Sequence, residues 1–456
     1  MDQSYLDTPR HAVAVIGGAC SGAEAAEIFA KAGIMTVVFE QNARPFGKIE
    51  DGLPRWHARQ RSQEYVRIAN KLKTEGVVYV PSTTIGKDVS FADLREWGFS
   101  AIVLANGAWN DRKLRAVGAA EAEGNGLIYQ NPFIYWFNHH EEESYAGERY
   151  DIHDGALVVG GGLASIDIVK AIMLETVATK LRERGIEADV PHMEHKGLAK
   201  FLAEHELTLE DLGVKGCTLV YRRSAREMPV AAFKPGADDA SKEKTMNVRE
   251  KLMGIVQTKF MNQFSGNTLP KEVVFDDDGK VAGLKVITTR IEDGRVLEVA
   301  GTERVLPTTQ IYASIGSVPR PIEGLPTKGD FYAFDDWDLG RMNAMPEIFG
   351  VGNVVTGQGN IAISRRHSKR VSNVVMEKYL GIHEEPLDEA DGVMKAAESA
   401  GADAAEAVMD VIDSKEKLGS EQLRALLGKA AARHAAVGYE GDLDAWIAAN
   451  TPPDRV

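Results

Sequence analysis

The stretch AVIGGACSGAEAA, residues 14–26, decides how the N-terminal part of the chain folds. The apolar residues 11–16 predict a short buried strand, and the alanine-rich residues 23–31 predict a helix. Between them, Gly17 permits a tight turn and Gly22 allows the helix to pack closely on the strand. A turn of this kind aims the first N–H groups of the helix at a phosphate. The stretch therefore predicts a strand, a phosphate-binding turn and a helix.

The next strand, predicted over residues 35–39, ends at Glu40, which lies 23 residues after Gly17. A carboxylate at this position accepts hydrogen bonds from a ribose diol, so the unit is predicted to bind a dinucleotide. Ala19 replaces the usual middle glycine, and we expect its methyl group to crowd the approach of the backbone to phosphate. The alternative is a turn of the same shape that binds nothing. Cys20 is interpreted as a small packing residue, with a reactive thiolate as the alternative.

A second glycine-rich turn occurs in ALVVGGGLASIDIVKA, residues 156–171. Glycines fill the first two positions of its pattern, and Ser165 fills the third, where a small residue suffices. The strand that follows ends at Tyr221, and Arg222 and Arg223 stand where an acid would otherwise be. An arginine pair there suits a 2′-phosphate, which predicts NADP rather than NAD. The alternative is a solvated basic pair at the end of a strand.

Two such starts in one chain predict an α/β protein with two doubly wound sheets. Residues 272–286 contain a turn at 276–279 and predict an antiparallel β-meander. Residues 384–456 are rich in Ala, Glu, Asp and Leu at helical spacing and predict an appended helical bundle. We interpret this extension as a surface cap or a dimer contact, with a partner-docking module as the alternative.

The composition of the 456-residue chain limits the classes of function. Cysteines occur only at Cys20 and Cys217, which excludes a disulfide framework, a CxxC redox pair and a cysteine-ligated iron–sulfur cluster within the chain. A net charge of −14 argues against general nucleic-acid binding. We expect no signal peptide and no membrane span, since no apolar run reaches roughly 18 residues. The cytoplasm is the expected compartment.

Eight stretches carry a resemblance to a known family. From His11 to about Leu380 the chain resembles the adrenodoxin-reductase-type NADPH–ferredoxin reductases, and it is similar to the flavoprotein small subunit of glutamate synthase. The matching stretches are IGGACSG (16–22), FEQNARPFGKIEDGLP (39–54), DVSFADL (88–94), VLANGA (103–108), NPFIYWFN (131–138), VVGGGLASID (158–167), VYRRSAREMP (220–229) and IFGVGNVVTGQGNI (348–361).

The resemblance implies a glutathione-reductase-like fold with two Rossmann-like domains and the all-α C-terminal extension. An NADP-binding domain, residues 109–310, is inserted into an FAD-binding domain formed by residues 1–108 and 311–383, and the extension covers 384–456. The FAD-binding residues implied are Gly17, Ala19, Cys20, Ser21, Gly22, Glu40, Gln41, Gly47, Lys48, Val89, Ala105, Asn106, Gly107, Gly352, Asn353, Gly359, Asn360 and Ile361. The NADP-binding residues implied are Gly160, Gly161, Gly162, Leu163, Ala164, Ser165, Arg222 and Arg223.

The function implied is hydride transfer from NADPH to N5 of FAD, followed by one-electron transfer to a ferredoxin, flavodoxin or other redox partner. No catalytic side chain and no metal ligand are expected. One alternative is the electron-input subunit of a larger complex, attached through the C-terminal helices. Another is a sensor that binds dinucleotides without turnover. Two basic clusters, 55–61 and 365–370, are candidates for a docking face, with solvated helix faces as the alternative.

The chain departs from the family at three positions near the two sites. Asn353 stands where the family typically has a tryptophan beside the flavin. Lys48 replaces a common apolar residue, which predicts a positive charge near the cofactor. Leu163 replaces a common asparagine. These departures concern the surroundings of the cofactors rather than the fold.

Overall fold

The computed structural model describes residues 3–231, 233, 236–337, 340–355 and 390–455. Within these ranges no helix has the length and apolar character needed to cross a membrane. The strands are β1 (Ala12–Ile16), β2 (Met35–Phe39), β3 (Val77–Val80), β4 (Ala101–Leu104), β5 (Asn110–Asp111), β6 (Leu127–Tyr129), β7 (Leu157–Gly160), β8 (Thr218–Val220), β9 (Gln263–Ser265), β10 (Thr268–Phe275), β11 (Val281–Glu292), β12 (Arg295–Glu298), β13 (Arg304–Pro307), β14 (Ile311–Ser314), β15 (Ser317–Val318), β16 (Thr327–Lys328), β17 (Phe331–Tyr332) and β18 (Ile348–Gly350). The helices are α1 (Gln3–Leu6), α2 (Cys20–Lys31), α3 (Lys48–Asp51), α4 (Ala58–Leu72), α5 (Phe91–Glu96), α6 (Ala119–Ala122), α7 (Gln130–His139), α8 (Leu163–Glu183), α9 (Val190–Lys196), α10 (Leu198–Glu204), α11 (Asp239–Phe260), α12 (Ala390–Ile412), α13 (Ser420–Val437) and α14 (Leu443–Ala449).

The first sheet contains five parallel strands in the order β18–β4–β1–β2–β3. β1 lies at its centre, and all of its residues are buried. Val13 and Val15 belong to the core shared with α2 and α4, while Ala14 and Ile16 belong to the core on the other face, shared with α5. Successive residues of a strand point to opposite faces, so a strand covered on both sides must be apolar throughout.

The second sheet also has five parallel strands, in the order β6–β14–β7–β8–β9. Helix α8, which follows β7, is buried along most of its length against α7, α9 and α11. An antiparallel sheet formed by β10 to β13 covers the opposite face, where Val273 and Leu284 pack with Val159 and Ile311. The antiparallel pairing of β10 with β11 and of β11 with β12 confirms the predicted β-meander.

The chain crosses between the two sheets twice, and the two crossing segments pair with each other. β5 follows β4 of the first sheet, and β15 follows β14 of the second. They form an antiparallel ribbon in which Ser317 pairs with Asp111 and Val318 with Asn110. The structure therefore confirms the predicted fold class, in which a second Rossmann-like domain is inserted into the first.

The return to the first domain lies later in the chain than the expected boundary between residues 310 and 311. β14 pairs with both β6 and β7, so it belongs to the second sheet, although the expectation assigned it to the FAD-binding domain. An apolar strand does not reveal from its own residues which strands it pairs with, since pairing is a tertiary contact. We propose that the inserted domain ends between β14 and β15. The boundary at 383 falls outside the described residues.

The C-terminal helices pack on the first domain rather than forming a separate bundle. α12 runs along α2, and Ala405, Val408 and Ile412 are fully buried in the core that α2 shares with β1. On α14, the indole N–H of Trp446 donates to the carbonyl oxygen of Ala43 at 2.7 Å. Of the interpretations open from the sequence, these contacts support the surface cap.

Gly401 of α12 lies where this helix meets the first turn of α2. A Cβ atom at Gly401 would lie 2.5 Å from the carbonyl oxygen of Ser21 and 2.8 Å from Cβ of Glu24. We expect Gly401→Ala to lower the free energy of unfolding by about 1–3 kcal/mol, because the added methyl group forces the two helices apart. Denaturant unfolding followed by circular dichroism measures the change.

Gly428→Ala is the matched control. Gly428 is exposed on α13, and a Cβ atom there would meet nothing within 4 Å. The better helix propensity of alanine is expected to raise the free energy of unfolding by roughly 0.5–1 kcal/mol. If both variants were equally stabilised, the result would contradict the close packing of α12 against α2 at Gly401.

Candidate functional site

Strand β1, the first glycine turn and helix α2 meet with almost no free space between their backbones. Gly17 has a φ of +108°, and its N–H donates to the carbonyl oxygen of Phe39 at 2.7 Å. A Cβ atom at Gly22 would lie 1.9 Å from the carbonyl oxygen of Gly17, so this packing requires glycine. The turn therefore presents the N-terminus of α2 at the C-terminal edge of the sheet, where open α/β sheets bind ligands.

Ala19 caps the N-terminus of α2, and its methyl group lies close to Gly47. A Cβ atom at Gly47 would lie 2.9 Å from Cβ of Ala19, and Gly47 has a φ of +49°. The methyl group that departs from the sequence pattern thus lies against a second glycine. A side chain at residue 47 would leave it no room.

A cleft of about 1180 Å³, measured together with its open mouth, runs along this edge of the first sheet. Its wall combines the first turn, the ends of β2 and β4, the start of α3 and the segment after β18. The structure brings together most of the residues that the resemblance assigned to FAD, and those that line the cleft are Gly17, Ala19, Cys20, Ser21, Glu40, Gln41, Gly47, Lys48, Ala105, Asn106, Gly107 and Asn353.

Three of the assigned residues support the cleft without lining it. Gly22 lies beneath the turn, and Gly352 packs against Ser21, whose Oγ would lie 2.5 Å from a Cβ atom at Gly352. Val89 is buried in the core of the first sheet and is not among the described residues that line the cleft. The remaining residues assigned to FAD lie outside the described residues, and they are Gly359, Asn360 and Ile361. The basic cluster 365–370 also lies outside them.

The structure adds lining residues that the sequence patterns did not single out, among them Thr83, Thr84, Trp109 and Arg320. Thr83 and Thr84 follow β3, which pairs with β2, so the parallel order brings them beside Glu40. In the sequence, these two residues could have been found as a polar pair that follows the apolar residues of β3. Arg320 follows the crossing strand β15, and no local pattern links it to the first turn.

Glu40 is held rigidly on the cleft wall by the backbone. Its side chain is buried, Oε2 accepts from the N–H of Gly18 at 2.8 Å, and Oε1 accepts from the N–H of Asn42 at 2.9 Å. Burial raises the pKa of Glu40 from 4.5 to about 7, and the hydrogen bonds from Asn42 and Gly18 offset only part of this effect. The carboxylate thus occupies the position that the sequence pattern assigns to a ribose-binding acid.

The second turn repeats this geometry on the second sheet. A Cβ atom at Gly160 would lie 2.4 Å from a carbonyl oxygen of β14, and one at Gly161 would lie 2.1 Å from the ring of Tyr221. At Gly162, the N-cap of α8, a Cβ atom would meet nothing within 4 Å. The hydroxyl of Ser165 closes the turn by donating to the carbonyl oxygen of Gly162 at 2.6 Å. The N-terminus of α8 is therefore open to a ligand, as a phosphate-binding helix end must be.

Arg222 and Arg223 lie beside the second turn, because β8 pairs with β7. The side chain of Arg222 is exposed. Arg223 donates to the carbonyl oxygen of Gly294 at 2.7 Å and lies 3.5 Å from the carboxylate of Glu227. Arg223 therefore helps to hold the hairpin between β11 and β12, and Arg222 is the guanidinium group more accessible to a ligand.

The basic cluster 55–61 makes internal contacts that its sequence did not indicate. Arg55 donates to the carboxylate of Glu175 on α8 at 3.0 Å, and Arg61 is buried and donates to a main-chain carbonyl of α3 at 2.9 Å. Of the three arginines in the cluster, Arg59 is exposed. Arg55 thus links the first domain to the second, and the cluster offers less cationic surface for docking than the sequence suggested.

Two parallel sheets, each with a glycine-bounded helix N-terminus at its C-terminal edge, define a class of proteins with two dinucleotide-binding domains. Comparison with known proteins agrees with this class. The small chain of NADPH-type glutamate synthase from Escherichia coli is 22% identical over 399 residues, which cover 82% of this chain and 70% of that protein. The mitochondrial NADPH:adrenodoxin oxidoreductase of Arabidopsis thaliana is 24% identical over 177 residues, 38% of this chain and 35% of that protein.

Among solved structures, Mycobacterium tuberculosis FprA in complex with NADPH is similar with a TM-score of 0.64 and 18% identity, covering 93% of this chain and 91% of that one. No family model matches the chain. These similarities confirm the resemblance predicted from the eight sequence stretches and the fold class.

Ionisation of Glu40 is predicted to destabilise the ligand-free protein. The unfolded chain loses this proton near pH 4.5, whereas the folded protein keeps it to about pH 7, so protonation favours folding. Between these pH values the contribution of Glu40 to the free energy of unfolding falls as the pH rises, by on the order of 3 kcal/mol in total.

Thermal unfolding of the wild type and of Glu40→Gln between pH 5 and pH 8 measures this effect. The melting temperature of Glu40→Gln relative to wild type should increase with pH up to about pH 7 and then level off. If the difference in melting temperature between the two proteins were constant from pH 5 to pH 8, Glu40 would have an ordinary pKa in the folded protein. Asp111, another buried acid, does not act on the pKa of Glu40 and cancels in this difference, whereas the negative charge of Asp51 is one of the causes of the raised pKa of Glu40.

Proposed function

We propose that the protein is an FAD-dependent NADPH oxidoreductase, with FAD in the cleft beside α2 and NADPH at the N-terminus of α8. The observation that carries the proposal is the difference in charge between two otherwise similar turns. The first has the carboxylate of Glu40 beside it, which accepts from ribose hydroxyls and repels a 2′-phosphate. The second has Arg222 and Arg223, which attract one. FAD lacks a 2′-phosphate and NADPH carries one.

The residues of the first cleft fit FAD. Its lining is mainly apolar, with Ile16, Phe39 and Phe46 among the walls, as a large aromatic ring system requires. Asn106 also lines the cleft, and its buried Oδ1 has no hydrogen-bond partner among the described residues. A buried acceptor of this kind suits a ligand that brings a donor.

Bound FAD would supply the capacity to take two electrons as hydride from a nicotinamide and to release them singly. The protein supplies placement for that chemistry. The N-termini of α2 and α8 provide N–H groups for the two pyrophosphates, and Glu40 fixes one ribose. Hydride transfer moves no separate proton, so it needs no side chain that acts as acid or base.

The comparisons support the same enzyme class, because the similar glutamate synthase is of the NADPH type, the similar oxidoreductase acts between NADPH and adrenodoxin, and the structure of FprA is a complex with NADPH. The electron acceptor proposed is a small redox protein such as a ferredoxin or flavodoxin, by analogy with the adrenodoxin oxidoreductase. A second candidate is an electron-input subunit of a larger complex, which the similarity to the glutamate synthase small chain favours. A partner that remains bound through purification from the native cell would distinguish this candidate from a free-standing reductase. The cytoplasmic location stays a prediction.

The purified protein is expected to be yellow and to lose its flavin absorption when NADPH is added without oxygen. Anaerobic titration should reach completion with one equivalent of NADPH per FAD, because both carry two electrons. A protein that is purified without flavin and does not take up added FAD would contradict the proposal. A flavoprotein that NADPH does not bleach would favour the sensor alternative.

Replacing Arg222 by alanine is expected to weaken NADP⁺ binding and to spare NAD⁺. A charge-assisted hydrogen bond contributes about 1.5–3 kcal/mol, so the dissociation constant for NADP⁺ should rise roughly 10- to 150-fold. Titration calorimetry with both nucleotides measures the selectivity directly. Arg223→Ala should also weaken NADP⁺ binding. It should in addition lower the stability of the protein, because the hydrogen bond to the carbonyl oxygen of Gly294 is lost.

Arg226→Ala is the matched control for charge. Arg226 lies near the pair in sequence, but Glu243 and Glu250 of α11 bind its guanidinium group. Its removal should leave the preference for NADP⁺ unchanged. Equal weakening of NADP⁺ and NAD⁺ in Arg222→Ala would refute the assignment of Arg222 to the 2′-phosphate.

A further inference from the structure

Lys48 places a cation on the wall of the first cleft, away from Glu40. It is the first residue of α3, and it lines the cleft together with Trp109, whose ring centroid lies 5.6 Å from Nζ. Arg320 is the other basic residue among the described lining residues, and its side chain is exposed to solvent. Lys48 is therefore the cation that the cleft shields better from water.

Neutral groups hold the ammonium group of Lys48 in place. Nζ donates to Oδ1 of Asn131 at 2.9 Å and to Oγ of Ser317 at 3.3 Å. The amide of Asn131 is itself fixed, because Nδ2 donates to the carbonyl oxygen of Trp109 at 3.1 Å. Within the described part of the chain, no carboxylate forms an ion pair with Lys48. A cation bound by neutral groups keeps its electrostatic attraction for a negatively charged ligand.

The carboxylate whose negative charge acts on Lys48 is that of Asp111 on β5. Burial lowers the pKa of Lys48 to about 8, and the negative charge of Asp111 partly offsets this effect. The main-chain N–H of Asn131 donates to the carboxylate of Asp111 at 3.2 Å, so Asn131 contacts both groups. The desolvation of Lys48 shows that its charge is costly in the ligand-free cleft, and a negative ligand would reduce that cost.

The order of residues along the cleft determines which part of a dinucleotide Lys48 would meet. Glu40 and Thr83 mark the end at β2 and β3, and the N-terminus of α2 lies at the pyrophosphate position. Trp109 follows β4, which flanks β1 on the side away from β2, and Lys48 lies against the ring of Trp109, so both residues lie beyond that position. With the adenosine ribose at Glu40, the flavin half of FAD extends toward Lys48.

We propose that Lys48 is an electrostatic determinant of the flavin site, which stabilises the reduced, negatively charged flavin relative to the oxidised one. The inference rests on the proposed function. Hydride transfer converts NADPH and FAD into NADP⁺ and a flavin with one added proton and two added electrons, hence one net negative charge. A fixed cation at this site favours that charge and raises the reduction potential.

The second domain contributes to this effect, because the acceptors that hold Lys48 do not belong to the first sheet. Asn131 is the second residue of α7, which follows β6 of the second sheet, and Ser317 lies in the crossing ribbon. The position of the cation therefore depends on the docking of the domain to which we assign NADPH.

The reduction potential of bound FAD in Lys48→Met, Asp111→Asn and the wild type tests the proposal. Anaerobic titration against reference dyes measures the potential without turnover. Lys48→Met should lower the preference for reduced over oxidised FAD about tenfold, which corresponds to ~30 mV for a two-electron couple. Asp111→Asn removes the opposing charge and should shift the potential upward.

Lys113→Met is the matched control. Lys113 is exposed and lies two residues after Asp111, on the segment that crosses between the two sheets. It pairs with Glu123 outside the cleft. Its loss should leave the potential unchanged. Equal shifts of the reduction potential in Lys48→Met and Lys113→Met would show that the potential depends only on the net charge of the protein. That result would overturn the proposed role of Lys48.

The outcomes separate this inference from the proposed function. A wild-type protein that binds no FAD contradicts the proposed function, and the inference is then wrong as well. A wild type that binds FAD and is reduced by NADPH, with an unchanged potential in Lys48→Met, overturns the inference alone. If Lys48→Met does not bind FAD, Asp111→Asn decides, and a potential that fails to rise overturns the inference.

Discussion

The contact between Gly22 and the carbonyl oxygen of Gly17 is the constraint on which the first nucleotide cleft depends. Because no Cβ atom fits there, α2 begins directly against β1, and its N-terminus is fixed at the edge of the sheet. Two further glycines converge on the same turn from distant parts of the chain, since Gly352 packs against the side chain of Ser21 and Gly401 against its carbonyl oxygen. The cleft is thus formed by close backbone approach, and the C-terminal helices are part of what holds it.

Charged side chains connect the two domains around this cleft. Arg55 reaches Glu175 on α8, and Lys48 reaches Asn131 on α7. Arg455, near the end of the chain, pairs with Glu50 and Glu142 and so joins α3 to the segment after α7. A buried ion pair such as Arg55–Glu175 contributes little net stability, yet loss of one partner is costly because it leaves a charge unpaired. The effect of these contacts is to fix the arrangement of the two domains.

The two turns have similar backbones and opposite surroundings, and this difference assigns the two nucleotides. Glu40 receives backbone hydrogen bonds that hold its carboxylate on the cleft wall, while Arg222 stays exposed beside the N-terminus of α8. A glycine-rich turn by itself recognises only a phosphate. The side chain at the end of the neighbouring strand adds the selectivity, since it meets the ribose and whatever group that ribose carries.

The elements that could be predicted from the amino-acid sequence are those whose signal is local: the two strand–turn–helix starts, Glu40 at the end of β2, the arginine pair after β8 and the apolar strands of both sheets. Local patterns suffice there because glycine spacing and hydrophobic period act within a few residues. Three further features became visible in the folded protein: β14 belongs to the second sheet, Val89 packs in the core, and Arg55 and Arg61 make internal contacts. It also placed Lys48 beside Asn131 and Ser317, residues brought together by the crossing ribbon. These facts depend on contacts between distant segments, which no local period or spacing records.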